Sequence, residues 1–301
     1  MPACSSLRSL SCLPGLLLLI AGFACRTVVV QEGAIVTPVP DRPLTAESVA
    51  ATLPGYDFEE HRIAAEDGTS LYAVFLRRPD ARLVVLFFGG NQYRISEYGI
   101  ETATALAPLG ASLMLVDFRG YGRSEGAPTL ALLLSDALVA YDFLTALPGV
   151  EPRSVVVHGH SLGSFLAGHV AANRPTGGVV LQSSVTTAEE WVGSLPPWWM
   201  RPFVRMRPAE SLRGRGNLEA VRRLDEPLLV MVGSEDRVTR PGLSRELYAA
   251  AAVPPGRKRL AILNGAGHND LERHPDFRKV YGSFLALVEG QASGKPETGS
   301  E

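Results

Sequence analysis

The stretch Ser154–Leu166 constrains the fold of this chain more than any other part of the sequence. Three consecutive valines, Val155–Val157, predict a short strand buried on both faces. The pentapeptide Gly-His-Ser-Leu-Gly, Gly159–Gly163, follows at once, and a helix-compatible segment comes next. A sharp strand-to-helix turn leaves no room for β-carbons beside the serine, so glycines are required there. The pentapeptide alone also occurs by chance, but this context predicts a nucleophile elbow that exposes Ser161.

Short apolar strands alternate with helices over most of the remaining chain. An antiparallel hairpin is predicted first, with strands at 58–63 and 70–76 around the turn residues 66–69. The strands that follow are predicted at 83–88, 112–116, 154–157, 178–181, 227–232 and 259–263, and the helices at 96–107, 129–147, 162–172, 242–252 and 275–289. This alternation predicts an α/β fold with a mostly parallel, doubly wound sheet covered on both faces.

A base and a carboxylate are expected near Ser161, because a serine nucleophile needs both. Asp236 follows the strand at 227–232, and His268 follows the strand at 259–263. Both therefore lie in loops at the carboxyl edge of the sheet, where the elbow also lies. Glu235 and Asp270 are alternatives for the acid, but Asp270 is better placed to cap the next helix or to brace the loop. Ser161, Asp236 and His268 form the predicted catalytic set.

Two backbone N–H groups are expected to stabilise an oxyanion opposite Ser161. One is the amide of Leu162, at the start of the helix after the elbow. The other belongs to the loop Gly89–Gln92, whose glycines allow close approach of the backbone to a substrate. Asn91 is the predicted second donor, with Gln92 as the alternative. His158 and His160 flank the elbow too closely to act as the base on Ser161.

A glycine-rich loop, Asp117–Gly126, follows another predicted strand at the same edge of the sheet. Asp117 and Arg119 could form an ion pair within it. A structural role as a brace for the elbow is favoured over a direct part in catalysis.

The segment 183–223 is too long for an ordinary loop and is predicted to be a small lid over the catalytic edge. Several arginines lie in the same stretch, where they could meet lipid phosphates. The alternative is that its aromatic residues only fill a small core of the lid. The candidate substrate-binding residues are the tryptophans and a phenylalanine of this segment, Trp191, Trp198, Trp199 and Phe203.

The first 25 residues have the form of an export signal, with Arg8 ahead of the apolar run Leu13–Ala24. Cys25 follows a small residue, as in a bacterial lipoprotein signal, although plain secretion and an uncleaved anchor remain open. We therefore expect an exported protein, membrane-associated through its N-terminus. Residues 26–54 are predicted to be a tether, 55–290 the catalytic domain with its lid, and 291–301 a flexible tail.

Composition excludes several other functions. The net charge of −2 gives no basic surface for nucleic acid. All three cysteines lie within the first 25 residues, so the folded body has no disulfide, thiolate nucleophile or cysteine-based metal site. No metal or organic cofactor is expected, and the oligomeric state is left open.

Five motifs together resemble the α/β-hydrolase superfamily: FGGN, DFRGYGRSEG, GHSLG, GSEDRV and GAGHND. The resemblance covers about residues 56–289, and the last motif is similar to that of membrane-associated lipid hydrolases and acyl-protein thioesterases. By motif it implies that Ser161 is the nucleophile, Asp236 the acid and His268 the base. The chain departs from the family at Gly89-Gly90, where His-Gly is common.

Three functions are consistent with these patterns. The leading prediction is a serine hydrolase that cleaves carboxylic esters or thioesters of an apolar acyl substrate, a small molecule or a lipid, through an acyl-enzyme. A serine peptidase of the same fold is the enzymatic alternative, with Glu189 and Glu190 of the lid as candidate ligands for a free amine. A non-catalytic binding protein is the third, although such a protein has no use for a nucleophile elbow.

Overall fold

The computed structural model describes residues 26–31, 45–197 and 199–292. Its strands are β1 (Arg26–Val30), β2 (Asp57–Ala64), β3 (Ser70–Arg77), β4 (Val84–Phe88), β5 (Ser112–Val116), β6 (Val155–His160), β7 (Gly178–Gln182), β8 (Val204–Pro208), β9 (Leu228–Gly233) and β10 (Lys258–Leu263). Its helices are α1 (Ala46–Thr52), α2 (Ile95–Leu106), α3 (Leu130–Ala146), α4 (Leu162–Asn173), α5 (Ala188–Ser194), α6 (Leu218–Arg223), α7 (Pro241–Ala250) and α8 (Phe277–Ala292).

Eight of the strands form one sheet in the order β10-β9-β7-β6-β4-β5-β3-β2. The strands from β5 to β10 along this order run parallel, while β3 pairs antiparallel with both β2 and β5. The doubly wound sheet and its N-terminal antiparallel hairpin are therefore confirmed. The carboxyl ends of β4, β6, β9 and β10 meet at one edge.

Both faces of the sheet are buried, and alternate residues of a strand enter opposite halves of the core. Val155 and Val157 of β6 pack with side chains of α3 and α4, whereas Val156 packs on the other face with residues of α2 and α8. Burial of each such aliphatic side chain contributes roughly 1.5–3 kcal/mol. This two-sided burial explains why the central strands have uniformly apolar sequences.

The predicted tether contains regular structure. β1 pairs in parallel with β8, and the two strands form a separate small sheet. α1 packs against the domain through Val49, which is fully buried, and the adjacent Leu53 is also buried. These elements were not visible in the proline-rich sequence because each is short and is stabilised by contacts with distant parts of the chain.

The predicted lid segment 183–223 contains α5, β8 and α6, and its C-terminal part belongs to the main core. Leu212 and Val221 are buried together with residues of α3 and α4. Asn217 donates hydrogen bonds to the hydroxyls of Ser164 and Ser184, which ties the segment to the first turn of α4. The part that can act as a lid is therefore shorter than the sequence indicates.

The predicted export signal, residues 1–25, and residues 293–301 of the predicted tail lie outside the described residues. None of the helices in the described ranges is long and apolar enough to cross a membrane.

Candidate active site

The turn between β6 and α4 forces Ser161 into an unfavourable backbone conformation. Its φ is 51° and its ψ −114°, a combination that costs roughly 1–3 kcal/mol and persists only where surrounding contacts impose it. A Cβ on Gly159 would lie 2.2 Å from the carbonyl oxygen of Gly163, and one on Gly163 would lie 2.1 Å from that of Phe88. Glycine is required at both positions because the backbones approach so closely.

The three predicted catalytic side chains lie together. Ser161 Oγ lies 3.0 Å from His268 Nε2, to which its hydroxyl donates. His268 Nδ1–H donates to Asp236 Oδ2 over 2.8 Å. The order nucleophile, base and carboxylate, with the base oriented by the acid, is the arrangement that activates a serine hydroxyl. Residues far apart in sequence meet here because the strands before them end at one edge of the sheet.

Asp236 is buried but keeps its negative charge. Burial acts to raise the pKa of this carboxyl, but the hydrogen bonds from His268 and Thr239 outweigh it and hold the pKa below its ordinary value. Thr239 donates from both its backbone N–H and its hydroxyl, over 2.8 Å each, and the N–H of Val238 adds a third bond. Glu235, the alternative acid, is exposed. The fixed carboxylate holds His268 in the tautomer that presents a free Nε2 to the serine.

Two side chains hold the loop that carries His268. Asp270 Oδ1 accepts a hydrogen bond from the N–H of Gly267 over 2.6 Å, so Asp270 braces the loop, one of the two roles predicted for it. His160 Nε2–H donates to the carbonyl oxygen of His268 over 2.9 Å. Burial lowers the pKa of His160, which keeps its ring neutral beside the second histidine. His160 therefore contacts the backbone of His268, and not the hydroxyl of Ser161.

The predicted oxyanion donors, Asn91 and Leu162, both line the cavity in front of Ser161. Leu162 is the first residue of α4, so its N–H has no acceptor within the helix. Asn91 lies in the loop after β4, and Tyr121 O–H donates to its Oδ1 over 2.8 Å. Sequence reasoning missed Tyr121. Its signal was present, because it belongs to the glycine-rich loop at the same edge.

The predicted ion pair between Asp117 and Arg119 is not the one that forms. Arg119 makes a two-pronged ion pair with Asp136 of α3 and reaches Asp67 in the turn of the hairpin. Asp117 instead accepts backbone hydrogen bonds from Ile95 and from its own loop. Although Asp117 and Arg119 are only two residues apart in sequence, their side chains contact different elements. These contacts give the loop the bracing role predicted for it.

A cavity of about 610 Å³ opens in front of the serine. On one side its wall is largely apolar, with Leu162, Phe165, Val185 and Trp191. Trp191 is the predicted lid residue that lines it, and its indole N–H donates to the carbonyl oxygen of Val238 over 2.9 Å. Phe165 was not predicted, although it lies one helical turn after Ser161 and so on the same face of α4.

The remaining predicted lid residues are placed differently. Trp199 and Phe203 are exposed by 58% and 48% and are not among the residues that line the cavity. Trp198 lies outside the described residues. Both described aromatics precede β8 and neither reaches the cavity, so the prediction that they bind substrate is not supported by their position.

Two carboxylates, Glu101 and Glu272, also belong to the cavity lining. Glu101 is paired with Arg273, while Glu272 accepts a hydrogen bond from Gln182 Nε2 over 2.6 Å. The acids predicted for an amine subsite are engaged elsewhere. Glu189 accepts from the N–H of Gly214, and Glu190 accepts from the hydroxyl of Thr186.

This sheet, with a serine on the turn after a central strand and a histidine and an aspartate on later loops, defines the α/β-hydrolase fold. The chain therefore has this fold, and its motifs resemble those of the α/β-hydrolase superfamily. The family described as "Serine aminopeptidase, S33" matches residues 79–216.

Relatives are known from bacteria, plants and animals. An uncharacterized protein of Mycobacterium tuberculosis is 37% identical over 172 residues, which cover 57% of this chain and 58% of that protein. The α/β-hydrolase domain-containing protein WAV2 of Arabidopsis thaliana is 25% identical, with 78% of this chain and 80% of that protein covered. Human α/β-hydrolase domain-containing protein 17B is also 25% identical, with 72% and 69% covered. The chain thus spans little more than half the length of the mycobacterial relative.

Solved structures share the fold at low sequence identity. The Pyrococcus furiosus esterase Pf2001 superposes with a TM-score of 0.67 at 18% identity, covering 84% of this chain and 97% of that one. Acetyl xylan esterase 1 of Thermoanaerobacterium gives a TM-score of 0.60 at 16% identity, with 78% and 84% covered.

Proposed function

We propose that this protein is a serine hydrolase that cleaves carboxylic ester or thioester bonds of an apolar acyl substrate. The observation that carries the proposal is the hydrogen-bonded series Ser161, His268 and Asp236, which opens into a cavity with one apolar wall. Two similar structures are esterases, and this agrees with the chemistry of the site.

The proposed reaction has two halves. His268 Nε2 accepts the proton of Ser161 as Oγ attacks the acyl carbonyl, and the N–H groups of Leu162 and Asn91 stabilise the oxyanion. The intermediate collapses to an acyl-enzyme as His268 returns the proton to the departing alcohol or thiol. A water molecule then gives a proton to His268, attacks the acyl-enzyme, and the fatty or other carboxylic acid leaves as Ser161 recovers its proton.

The apolar part of the cavity lining suggests where a substrate binds. Leu162, Phe165, Val185 and Trp191 suit the acyl chain, since its burial there is favourable. A peptidase acting next to a free amine is the second candidate, because Glu101 and Glu272 also line the cavity and the matching family is described as aminopeptidase.

The test uses p-nitrophenyl esters of increasing acyl length, with aminoacyl p-nitroanilides as the peptidase substrates. We expect ester turnover by the wild type, an optimum at a chain length that fits the apolar wall, and loss of turnover in Ser161→Ala with an unchanged thermal midpoint. Anilide turnover without ester turnover would favour the peptidase. A protein that turns over neither substrate and is not labelled at Ser161 by a fluorophosphonate would contradict both.

A further inference from the structure

The exposed large apolar side chains of the described ranges fall into two groups. These are Val29, Tyr98, Trp199, Phe203 and Val238, each exposed by 41% or more. Tyr98 and Val238 belong to the cavity lining, and the other three lie on or beside the small sheet of β1 and β8. Single exposed apolar residues are normal, but three of them on or beside one small sheet indicate a binding surface.

The small sheet combines these apolar groups with arginines. Arg205 and Arg207 of β8 are exposed, while Val204 and Met206, which alternate with them, are half-buried against the protein. Val29 lies beside Arg207 in the parallel register of β1 and β8, so both belong to the outer face of the sheet. We call Val29, Trp199, Phe203, Arg205 and Arg207 the lid face.

The arginines of the lid face are not neutralised. Residues 199–208 contain three arginines and no acidic residue. Arg205 and Arg207 form no ion pair with a described residue, whereas Arg213 and Arg223, further along the same segment, pair with Glu210 and Glu219. Unpaired arginines next to exposed aromatic rings suit the interface of an anionic bilayer, where the guanidinium meets phosphate and the ring enters the headgroup region.

The lid face is connected to the mouth of the cavity. α5 packs against β8, and Trp191 of α5 donates its indole N–H to Val238 at the cavity wall. The sequence adds a second link to a membrane, because Cys25, the cysteine of the predicted lipoprotein signal, directly precedes β1. The start of β1, the lid face and the cavity wall thus follow one another through covalent bonds and direct contacts.

We propose that the lid face docks on the surface of a bilayer that contains anionic phospholipid. Arg205 and Arg207 bind lipid phosphates, and Trp199 and Phe203 enter the headgroup region beside them. This interaction is independent of the proposed hydrolase activity. It goes beyond membrane association through the N-terminus, because it predicts a second, charge-dependent contact made by the folded protein.

The experiment measures partitioning of the full chain onto phosphatidylcholine vesicles with and without phosphatidylglycerol, at low and high salt. A basic residue near an anionic surface contributes about 5-fold to binding, so Arg205→Gln with Arg207→Gln should lower the phosphatidylglycerol-dependent partitioning about 30-fold. Binding to pure phosphatidylcholine, which reports the apolar contacts of the chain, should not change. Trp199→Ala with Phe203→Ala should weaken binding to both kinds of vesicle.

The matched control is Arg245→Gln with Arg259→Gln, which removes two exposed arginines from elsewhere on the protein. We expect this control to bind like the wild type. Equal loss in the control and the lid-face variant would show that only net charge matters, and unchanged binding of Arg205→Gln, Arg207→Gln would place the contact elsewhere. Either result would overturn the proposal. Because both arginines are exposed, the variants should keep the wild-type thermal midpoint. If the double variant does not, the single variant Arg207→Gln tests the proposal instead, with an expected loss of binding of about 5-fold.

Discussion

The catalytic edge of the sheet and the lid face use the same kinds of side chain in opposite ways. At the catalytic edge, Arg119 is only 4% exposed and is held by two carboxylates, and Asp236 is buried among four donors. On the lid face, Arg205 and Arg207 are exposed and have no carboxylate partner among the described residues. Polar groups that already have partners fix a geometry, whereas groups without partners are available to a ligand. The comparison predicts which substitutions change rate or stability and which do not.

The largest expected effect is on the rate. Asp236→Asn removes the charge that sets the tautomer of His268, so we expect kcat to fall about 10⁴-fold while the fold is kept. Glu235→Gln, one residue earlier and exposed, should change kcat little. Both are measured on the best p-nitrophenyl ester. If Glu235→Gln has the large effect and Asp236→Asn the small one, the acid has been assigned to the wrong residue.

The next effect concerns stability and compares two arginines directly. Arg119→Met leaves the buried carboxylate of Asp136 without its partner, and we expect a loss of about 3 kcal/mol in the free energy of unfolding. Arg205→Met removes an exposed arginine and should change that free energy by less than about 0.5 kcal/mol. Urea denaturation at neutral pH gives both values. Equal losses would show that Arg205 contributes as much to the free energy of unfolding as Arg119 does, contrary to the comparison.

The smallest effect is a pH dependence from His158, which lies between Gln182 and Tyr281 beneath the elbow. Burial lowers the pKa of His158 to about 3, against about 6.5 in an unfolded chain. The unfolded state therefore binds one more proton below pH 6.5. Stability should fall as the pH drops through this range, by up to about 1.4 kcal/mol per pH unit for this one group.

His158→Asn keeps a neutral polar group and removes this proton. The variant should show a shallower loss of stability than the wild type between pH 6.5 and about 5. The difference between the two slopes is the measured quantity, because burial also lowers the pKa values of His160 and His169. Parallel slopes would mean that His158 does not stay neutral when buried.

Much of this arrangement followed from the sequence. A parallel sheet places the ends of its strands at one edge, so the loops that carry Ser161, Asp236 and His268 were bound to meet once the strands were recognised. The hairpin was predicted from its turn residues and the other elements from the alternation of apolar strands and helices, and their ends agree with the structure to within three residues. The local sequence pattern was sufficient to predict these features because the position of a residue along a strand determines where its side chain points.

Other features depend on contacts that no local pattern contains. Asn91 has its partner in Tyr121, Arg119 reaches two elements far from its own loop, and β1 pairs with β8 across more than half the chain. The aromatic residues of the lid segment show the limit most clearly. Trp191 lines the cavity and Trp199 does not, although both were predicted to bind substrate.

The pairing of β1 with β8 has a consequence for any shortened form of this protein. In the described ranges, β1 is the one strand that pairs with β8, so a chain that starts after Val30 would leave β8 as an unpaired strand. Free N–H and C=O groups in a row recruit strands from neighbouring molecules. Such a form would tend to self-associate through an open edge, and a chain that starts at Arg26 would keep that edge closed.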